Sequence, residues 1–194
     1  MKTYLKFLEK YENLSAIKSG LTITVSGLSG SGKTTVAKEI AKVFKLKLTN
    51  AGDLFREYAA KNKIPLDEMS KSLPPKIDYK IDKMMLNLAE NGGGVLVARL
   101  SAWVAGDWAD CKVFVQCDKK IRYERVAERE GLSLSRTKIM VENRDKRDYQ
   151  RYKTLYGIDA NDKKIYDLII SNNQISLEEL KGQTIKEIKK FIKK

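Results

Sequence analysis

Three adjoining stretches decide the fold: Leu21-Thr22-Ile23-Thr24-Val25, then Gly27-Leu28-Ser29-Gly30-Ser31-Gly32-Lys33-Thr34, then Val36-Ala37 with Ile40, Ala41 and Phe44. The first is an apolar run of strand character. The second fits G-x-x-x-x-G-K-[ST]. The third has the spacing of an amphipathic helix. Strand, glycine-rich loop and helix in that order make a phosphate-binding loop. Backbone N–H groups around Gly30 and Gly32 can cradle a polyphosphate, because glycine tolerates unusual φ angles and close approach. Lys33 brings a positive charge to the β- and γ-phosphates, and the Thr34 hydroxyl can ligate Mg²⁺. The following helix turns the positive end of its dipole toward the anion. Gly27 to Thr35 is therefore the expected ATP site, with Mg²⁺ as cofactor.

Outward from this loop, apolar runs alternate with helical patterns. Strands are expected at 21–26, 46–49, 95–98, 111–117 and 165–170, and helices at about 53–62, 76–90, 119–130, 133–154 and 176–193. A Gly52-Asp53 turn is expected to open the helix through Phe55 and Tyr58. The runs Val95-Leu96-Val97-Ala98 and Cys111 to Cys117 are continuous, as in buried parallel strands. Such alternation predicts a three-layer α/β/α fold around a parallel sheet of about five strands. Ligands in such sheets bind beyond the strands' carboxyl ends. The loop, Asp53, Arg99 and Asp118 all follow strands and should share that edge. Residues 1–20, with Tyr4, Leu5, Leu8, Tyr11 and Leu14 at helical spacing, read as a helical extension ahead of one domain, 21–194.

Composition narrows the chemistry. The chain has 194 residues, 42% of them hydrophobic, no histidine and two cysteines. Cys111 and Cys117 lie on one strand, roughly 20 Å apart, and cannot pair with each other. Without histidine, proton shuttling by imidazole is excluded. No apolar stretch reaches membrane-spanning length, so a soluble, cytoplasmic monomer is expected. The net charge of +13 suits anionic ligands. The lysines are scattered, which describes a solvated surface rather than a nucleic-acid patch. Arginines are fewer and concentrate in four places. Because arginine grips phosphate bidentately, these places matter.

Arg56 lies in the first turn of the helix after Asp53, a natural second phosphate site. Arg99 follows a buried strand. Arg122, Arg125 and Arg129 share one stripe, where Glu124, Glu128 and Glu130 could also neutralise them. Arg144, Arg147, Asp148 and Arg151 share another, at i, i+3, i+4 and i+7. Three arginines and one carboxylate on a face suit a polyphosphate and a hydrogen-bonding group.

The phosphate loop, Ala51-Gly52-Asp53-Leu54-Phe55-Arg56, Arg99-Leu100-Ser101-Ala102-Trp103, Arg125 with Arg129-Glu130-Gly131, and Arg151-Tyr152-Lys153 with Tyr156-Gly157-Ile158-Asp159 resemble the archaeal type of cytidylate kinase. Arg144-Asp145, Arg147-Asp148 and Arg151 are also similar to the R-D-x-R-D-x-x-R segment of bacterial cytidylate kinases. The resemblance runs from about 21 to 180. It implies a nucleoside monophosphate kinase with a monophosphate-binding segment near 50–90 and a lid near 131–157. It implies that Asp53, Arg56 and Arg99 serve the acceptor, and that Arg125 and Arg129 contact ATP. Arg144, Asp148 and Arg151 would reach the transferring group and the acceptor. With Lys33, the catalytic set is Lys33, Arg125, Arg144 and Arg151. The chain departs from the family pattern at Val97, where an acidic residue is usual, and at Ala98 and Ala102, where glycines are usual. Asp53 or Asp118 could supply the missing carboxylate. Asp78, Asp82 and Ser101 are candidates for reading the base. CMP or dCMP is the expected acceptor. An adenylate kinase, another small-molecule kinase, or a nucleotide-binding protein acting as an RNA-associated ATPase stays open at this level.

Overall fold

The computed structural model describes residues 20–64, 73–173 and 175–193. The expected N-terminal helix, apart from Gly20, and part of the irregular segment at 64–75 lie outside the described residues. Five strands form one parallel sheet: β1 (Thr22–Ser26), β2 (Lys47–Asn50), β3 (Gly94–Val97), β4 (Cys111–Gln116) and β5 (Leu168–Ser171). Their spatial order is β2-β3-β1-β4-β5, so the strand that feeds the glycine-rich loop is central. Val25 pairs with Val97 on one side and Val113 on the other. Every residue of β1 and β3 is buried, the polar Thr22, Thr24 and Ser26 of β1 included, as in parallel strands covered on both faces.

Alternation along the strands builds two separate cores. Ile23, Val25, Val95, Val97, Val113 and Val115 face α1 (Lys33–Phe44) and the C-terminal helix. Leu96 points the other way, into a core with Ile77, Ile81, Met85 and Leu86, which come from the helix Pro75–Asn91. Between them, α2 spans Ala51–Lys61 and α3 spans Pro75–Asn91. Pro75 opens α3 at the position where a missing N–H costs nothing. A short helix, α4 (Ser101–Ala105), was not expected from sequence; five residues are too few to show a helical period. Beyond β4 come α5 (Lys119–Glu130), α6 (Leu134–Tyr156) and, after β5, α7 (Leu177–Ile192). A capping box at Ser176 and Glu179 starts α7.

Two boundaries differ from the sequence reading. The Gly52-Asp53 turn does not exist as a turn: both residues sit in the first turn of α2, because Asn50 caps the helix by accepting the Gly52 N–H at 3.1 Å. The last strand begins at Leu168, not at 165. Ile165 and Tyr166 instead pack with Phe114 and Ala102 below the sheet edge.

Candidate active site

The glycine-rich loop leaves β1 and is clamped from two sides. Gly30 has φ +79°, and a Cβ there would stand 2.5 Å from the Arg122 carbonyl oxygen of α5. Gly32 has φ +89°, and its Cβ would stand 2.2 Å from Nδ2 of Asn172, just past β5. Only glycine fits either place. Asn172 donates from Nδ2 to the Ser31 carbonyl at 2.7 Å. The Ser31 N–H bonds the Leu28 carbonyl at 3.2 Å, and Thr35 and Val36 direct their N–H groups to Gly32. Gly32 caps α1, so the helix N-terminus opens directly onto the loop.

Lys33 donates from Nζ to the Leu28 carbonyl at 3.3 Å. Burial, then the charges of Arg99, Arg144, Arg129 and Arg56, lower its pKa to about 7. Four guanidiniums surround one ammonium group. An arrangement that represses its own charge is an anion site awaiting its anion.

A second layer ties this loop to α6. Arg99, just past β3, donates from Nη2 to the Ser29 hydroxyl at 3.0 Å. Its Nη1 lies 3.0 Å from Asp145 and 2.9 Å from Asp148. Burial opposes the Arg99 charge, but Asp148, Tyr152 and Asp145 more than compensate and raise its pKa. Arg122 donates to the Ser29 carbonyl at 2.9 Å and to Asp145 at 2.8 Å. Asp145 thus joins buried Arg122 to the largely covered Arg99, and Ser29 receives one bond from each. Such charges persist in an interior only when paired in this way. Arg144 has Asp148 at 3.8 Å, while burial and Arg99 lower its pKa.

The far wall is built by α3 and the second half of α6. Asp78 receives Arg151 on both oxygens, with Nε to Oδ1 at 3.0 Å, and Arg151 also reaches the Leu73 carbonyl at 2.8 Å. One turn along, Asp82 accepts the Tyr156 hydroxyl. Burial pushes the Asp82 carboxyl up to about 7; the Tyr156 bond opposes this and Asp78 adds to it.

These walls enclose one cavity. From the ATP set it takes Ser29, Gly30, Lys33, Thr34 and Arg129. From the acceptor set it takes Arg56, Arg99, Asp148 and Arg151, with Arg144 from the catalytic set. Others expected at the site stand apart. Asp53 is exposed and pairs with Arg56 through solvent-facing atoms, off the cavity wall. Arg125 turns to Cys117 Sγ at 3.5 Å and Asn172 Oδ1 at 3.3 Å. Arg129, by contrast, stays on the cavity wall while paired with Glu130. Arg147 bends back to the Asn143 carbonyl of its own helix. Asp118 precedes α5 as its N-terminal cap residue. Ser101 is buried against Ser26, with the hydroxyls 3.0 Å apart, and does not line the cavity.

Arg122, Asp145 and Asn172 are missing from the sequence-based site. Arg122 was visible only as one third of a stripe. What singles it out is depth, since Arg122 is 2% exposed while Arg129 has a side chain 57% exposed. Asn172 carried no signal, because a lone asparagine after a strand is an ordinary turn residue.

Residues 23–153 match the AAA domain family. The cytidylate kinase of Pyrococcus horikoshii is 41% identical over 163 residues, covering 83% of this chain and 84% of that protein. The cytidylate kinase of Methanopyrus kandleri is 36% identical over 170 residues, covering 82% and 88%. Among solved structures, shikimate kinase from Acinetobacter baumannii in complex with shikimate superimposes with a TM-score of 0.59 at 13% identity, covering 90% of this chain and 96% of that one. That likeness is one of fold, and it agrees with the three-layer architecture around the phosphate loop. With the phosphate loop, the buried arginines and this degree of identity taken together, the chain belongs to the archaeal type of cytidylate kinase, within the nucleoside monophosphate kinases of the P-loop fold.

Proposed function

We propose that the protein transfers the γ-phosphoryl group of ATP to CMP or dCMP, giving ADP and CDP or dCDP. One observation carries this reading. Lys33, Arg56, Arg99, Arg129 and Arg144 converge on a single cavity whose other wall bears carboxylates and a tyrosine. A cavity with cations at one end and hydrogen-bonding acids at the other suits two phosphate chains meeting, with a base held beyond them.

The acceptor's phosphate oxygen is ionised near neutral pH, so the reaction needs no strong general base. That oxygen attacks the γ-phosphorus in line. The new P–O bond forms as the bond to the ADP oxygen breaks. The protein's part is positioning and charge stabilisation. The loop backbone and Lys33 hold the β- and γ-phosphates. Arg56 and Arg99 hold the acceptor phosphate. Arg144, with Arg125 and Arg129 moving off their resting partners, neutralises charge on the transferring group. Arg151 and Asp148 orient the acceptor nucleoside.

Mg²⁺ fits the donor set here. Thr34 offers a hydroxyl on the cavity wall beside the phosphates, and hard oxygen donors of that kind are what Mg²⁺ takes. Val97 is fully buried in the apolar core, so no carboxylate stands at the end of β3. Thr34 and the phosphate oxygens would hold the ion, which supplies charge neutralisation when bound. Segments 50–90 and 131–157 would close over the substrates and exclude water. The protein acts as a cytoplasmic monomer in this reading. Among the described residues, no helix is long and apolar enough to cross a membrane.

The test is a coupled ADP-release assay with CMP, dCMP, UMP, AMP and GMP as acceptors. CMP and dCMP should give the highest kcat/KM. Equal turnover of AMP, or ATP hydrolysis unaffected by any monophosphate, overturns the assignment.

A further inference from the structure

The acidic wall of the cavity contains two carboxylates that are not equivalent. Asp78 is committed: both of its oxygens receive Arg151. It is an ionised, accept-only group. Asp82 is 8% exposed, lines the same cavity and, among the described residues, meets no cation in its hydrogen bonding. Tyr156 donates to one oxygen, Oδ2, and leaves Oδ1 as the remaining site. The groups facing Asp82 are Asp78 from its own helix and Tyr152 and Tyr156 from α6, with Arg151 behind Asp78. Tyr79 stacks edge-on against Tyr156, their centroids 5.6 Å apart. None of these is a free cation, so the environment resists the ionised form of Asp82.

Position matters as much as charge. A helix rises 1.5 Å per residue, so Tyr156 stands about 18 Å along α6 from Arg144, and Arg151 about 10 Å. Arg144 is among the charges that reach Lys33. Asp82 therefore lies at the end of the cavity away from the phosphates, where the acceptor's base would be held.

We propose that Asp82 reads the N3/N4 edge of the acceptor's cytosine as a carboxylic acid, with Tyr156 fixing which oxygen donates and which accepts. This rests on the CMP kinase reading above. Oδ1–H donates to cytosine N3, while Oδ2, already accepting from Tyr156, also accepts the N4 amino group. In the same pose uracil presents N3–H to Oδ1–H, donor against donor. When Asp82 is ionised the preference weakens: its lone pair then opposes cytosine N3 and accepts uracil N3–H. A site built to hydrogen-bond a particular edge discriminates because a wrong edge leaves buried groups unpaired. Burial already keeps the free carboxyl half-protonated near pH 7, and a cytosine acceptor at Oδ1 extends that range upward.

The decisive measurement is the ratio of kcat/KM for CMP to that for UMP, from pH 5.5 to 9. Titration of Lys33 affects both substrates alike and cancels in the ratio. The ratio should be high and flat below pH 7 and fall by up to tenfold per pH unit above it. Asp82→Asn keeps a donor and an acceptor but cannot titrate, so its ratio should be independent of pH. Asp82→Leu, of similar size, should lose the CMP preference altogether. In wild type at pH 8, calorimetry in two buffers of different ionisation heat should show more proton uptake for CMP than for UMP. A pH-independent ratio in wild type, equal proton uptake for the two nucleotides, or an undiminished CMP preference in Asp82→Leu overturns the proposal. The first two need no variant to fold. Failure to turn over any pyrimidine monophosphate would instead remove the kinase reading on which it stands.

Discussion

The two ends of the cavity are made of different materials. The donor end is backbone: glycines at positive φ, a helix N-terminus and carbonyls clamped by Arg122 and Asn172. The end proposed for the acceptor is side chain: Asp78, Asp82, Arg151 and Tyr152, with Tyr156 behind Asp82, drawn from two helices whose bonded pairs lie more than 70 residues apart in sequence. A backbone cradle binds any polyphosphate of the right shape. A side-chain wall can discriminate between bases. In the proposed reaction, generality at one end and specificity at the other would follow from this difference. Ser29, Arg99, Asp145 and Arg122 connect the ends, so they are where a change at one should be felt at the other.

The largest expected effect is at the donor end. Lys33→Ala should keep the fold and lower kcat by at least about a hundredfold, since it removes the charge beside the transferred group. Near-normal single-turnover rates would mean the phosphates sit elsewhere. Arg56 and Arg99 then separate the ends. Arg56 pairs with exposed Asp53 and makes no bond to the glycine-rich loop among the described residues, so Arg56→Ala should raise KM for the acceptor alone. Arg99→Ala should raise KM for both substrates, because it also releases Ser29. Losses of about 2–5 kcal/mol in acceptor binding are expected. Steady-state kinetics with each substrate varied would read the split, and an Arg99 variant impaired toward ATP alone would reverse the two ends.

Val97 offers a structural perturbation below the donor end. Val97→Glu places a carboxylate in the core beside Val25 and Val36 and should cost about 3 kcal/mol or more in the free protein. Mg·ATP should return part of that, seen as a larger ligand-induced rise in Tm than in wild type. Equal rises would mean that the new carboxylate does not face the metal. A smaller effect is expected from Arg122→Lys, which keeps the charge but loses the fork joining Ser29 and Asp145. About 1–3 kcal/mol of stability should go, with kcat falling more than either KM. A uniform fall in affinity would assign Arg122 a binding role instead.

The most subtle prediction contrasts the two ends by titration. Asp82 has its pKa raised to about 7, so its contribution to stability is present below its unfolded pKa and lost as pH rises through 7. Lys33 has its pKa lowered to about 7 from 10.5, so its contribution is present above 10.5 and lost as pH falls through 7. Together these two groups should give a stability minimum near pH 7 in the ligand-free protein. Denaturant melts from pH 5 to 9.5 would show it. Lys33→Met should remove the rise on the alkaline side and leave the acid side unchanged.

Much of this was legible in the chain itself. The phosphate loop is contiguous, and its chemistry depends on residue types at fixed offsets, so Gly27 to Thr34 announced both fold and ligand. Continuous apolar runs announced buried parallel strands, and the observed five-stranded sheet follows them closely. The concentration of arginines pointed to Arg56, Arg99, Arg129, Arg144 and Arg151, all of which reach the cavity. Sequence spacing could not say which arginines on one stripe would be buried. Arg122, Arg125 and Arg129 share a helical face yet end on Ser29, Asn172 and Glu130, because successive turns of the helix meet different neighbours. Nor could it separate Asp145 from Asp148, or find Asn172. Local order along the chain was thus determined by short-range pattern, which the sequence carries directly. The pairing of Asp82 with Tyr156, of Asp78 with Arg151, and of Ser29 with two arginines was decided only by tertiary packing, since each joins residues that lie far apart until the sheet and its helices have assembled.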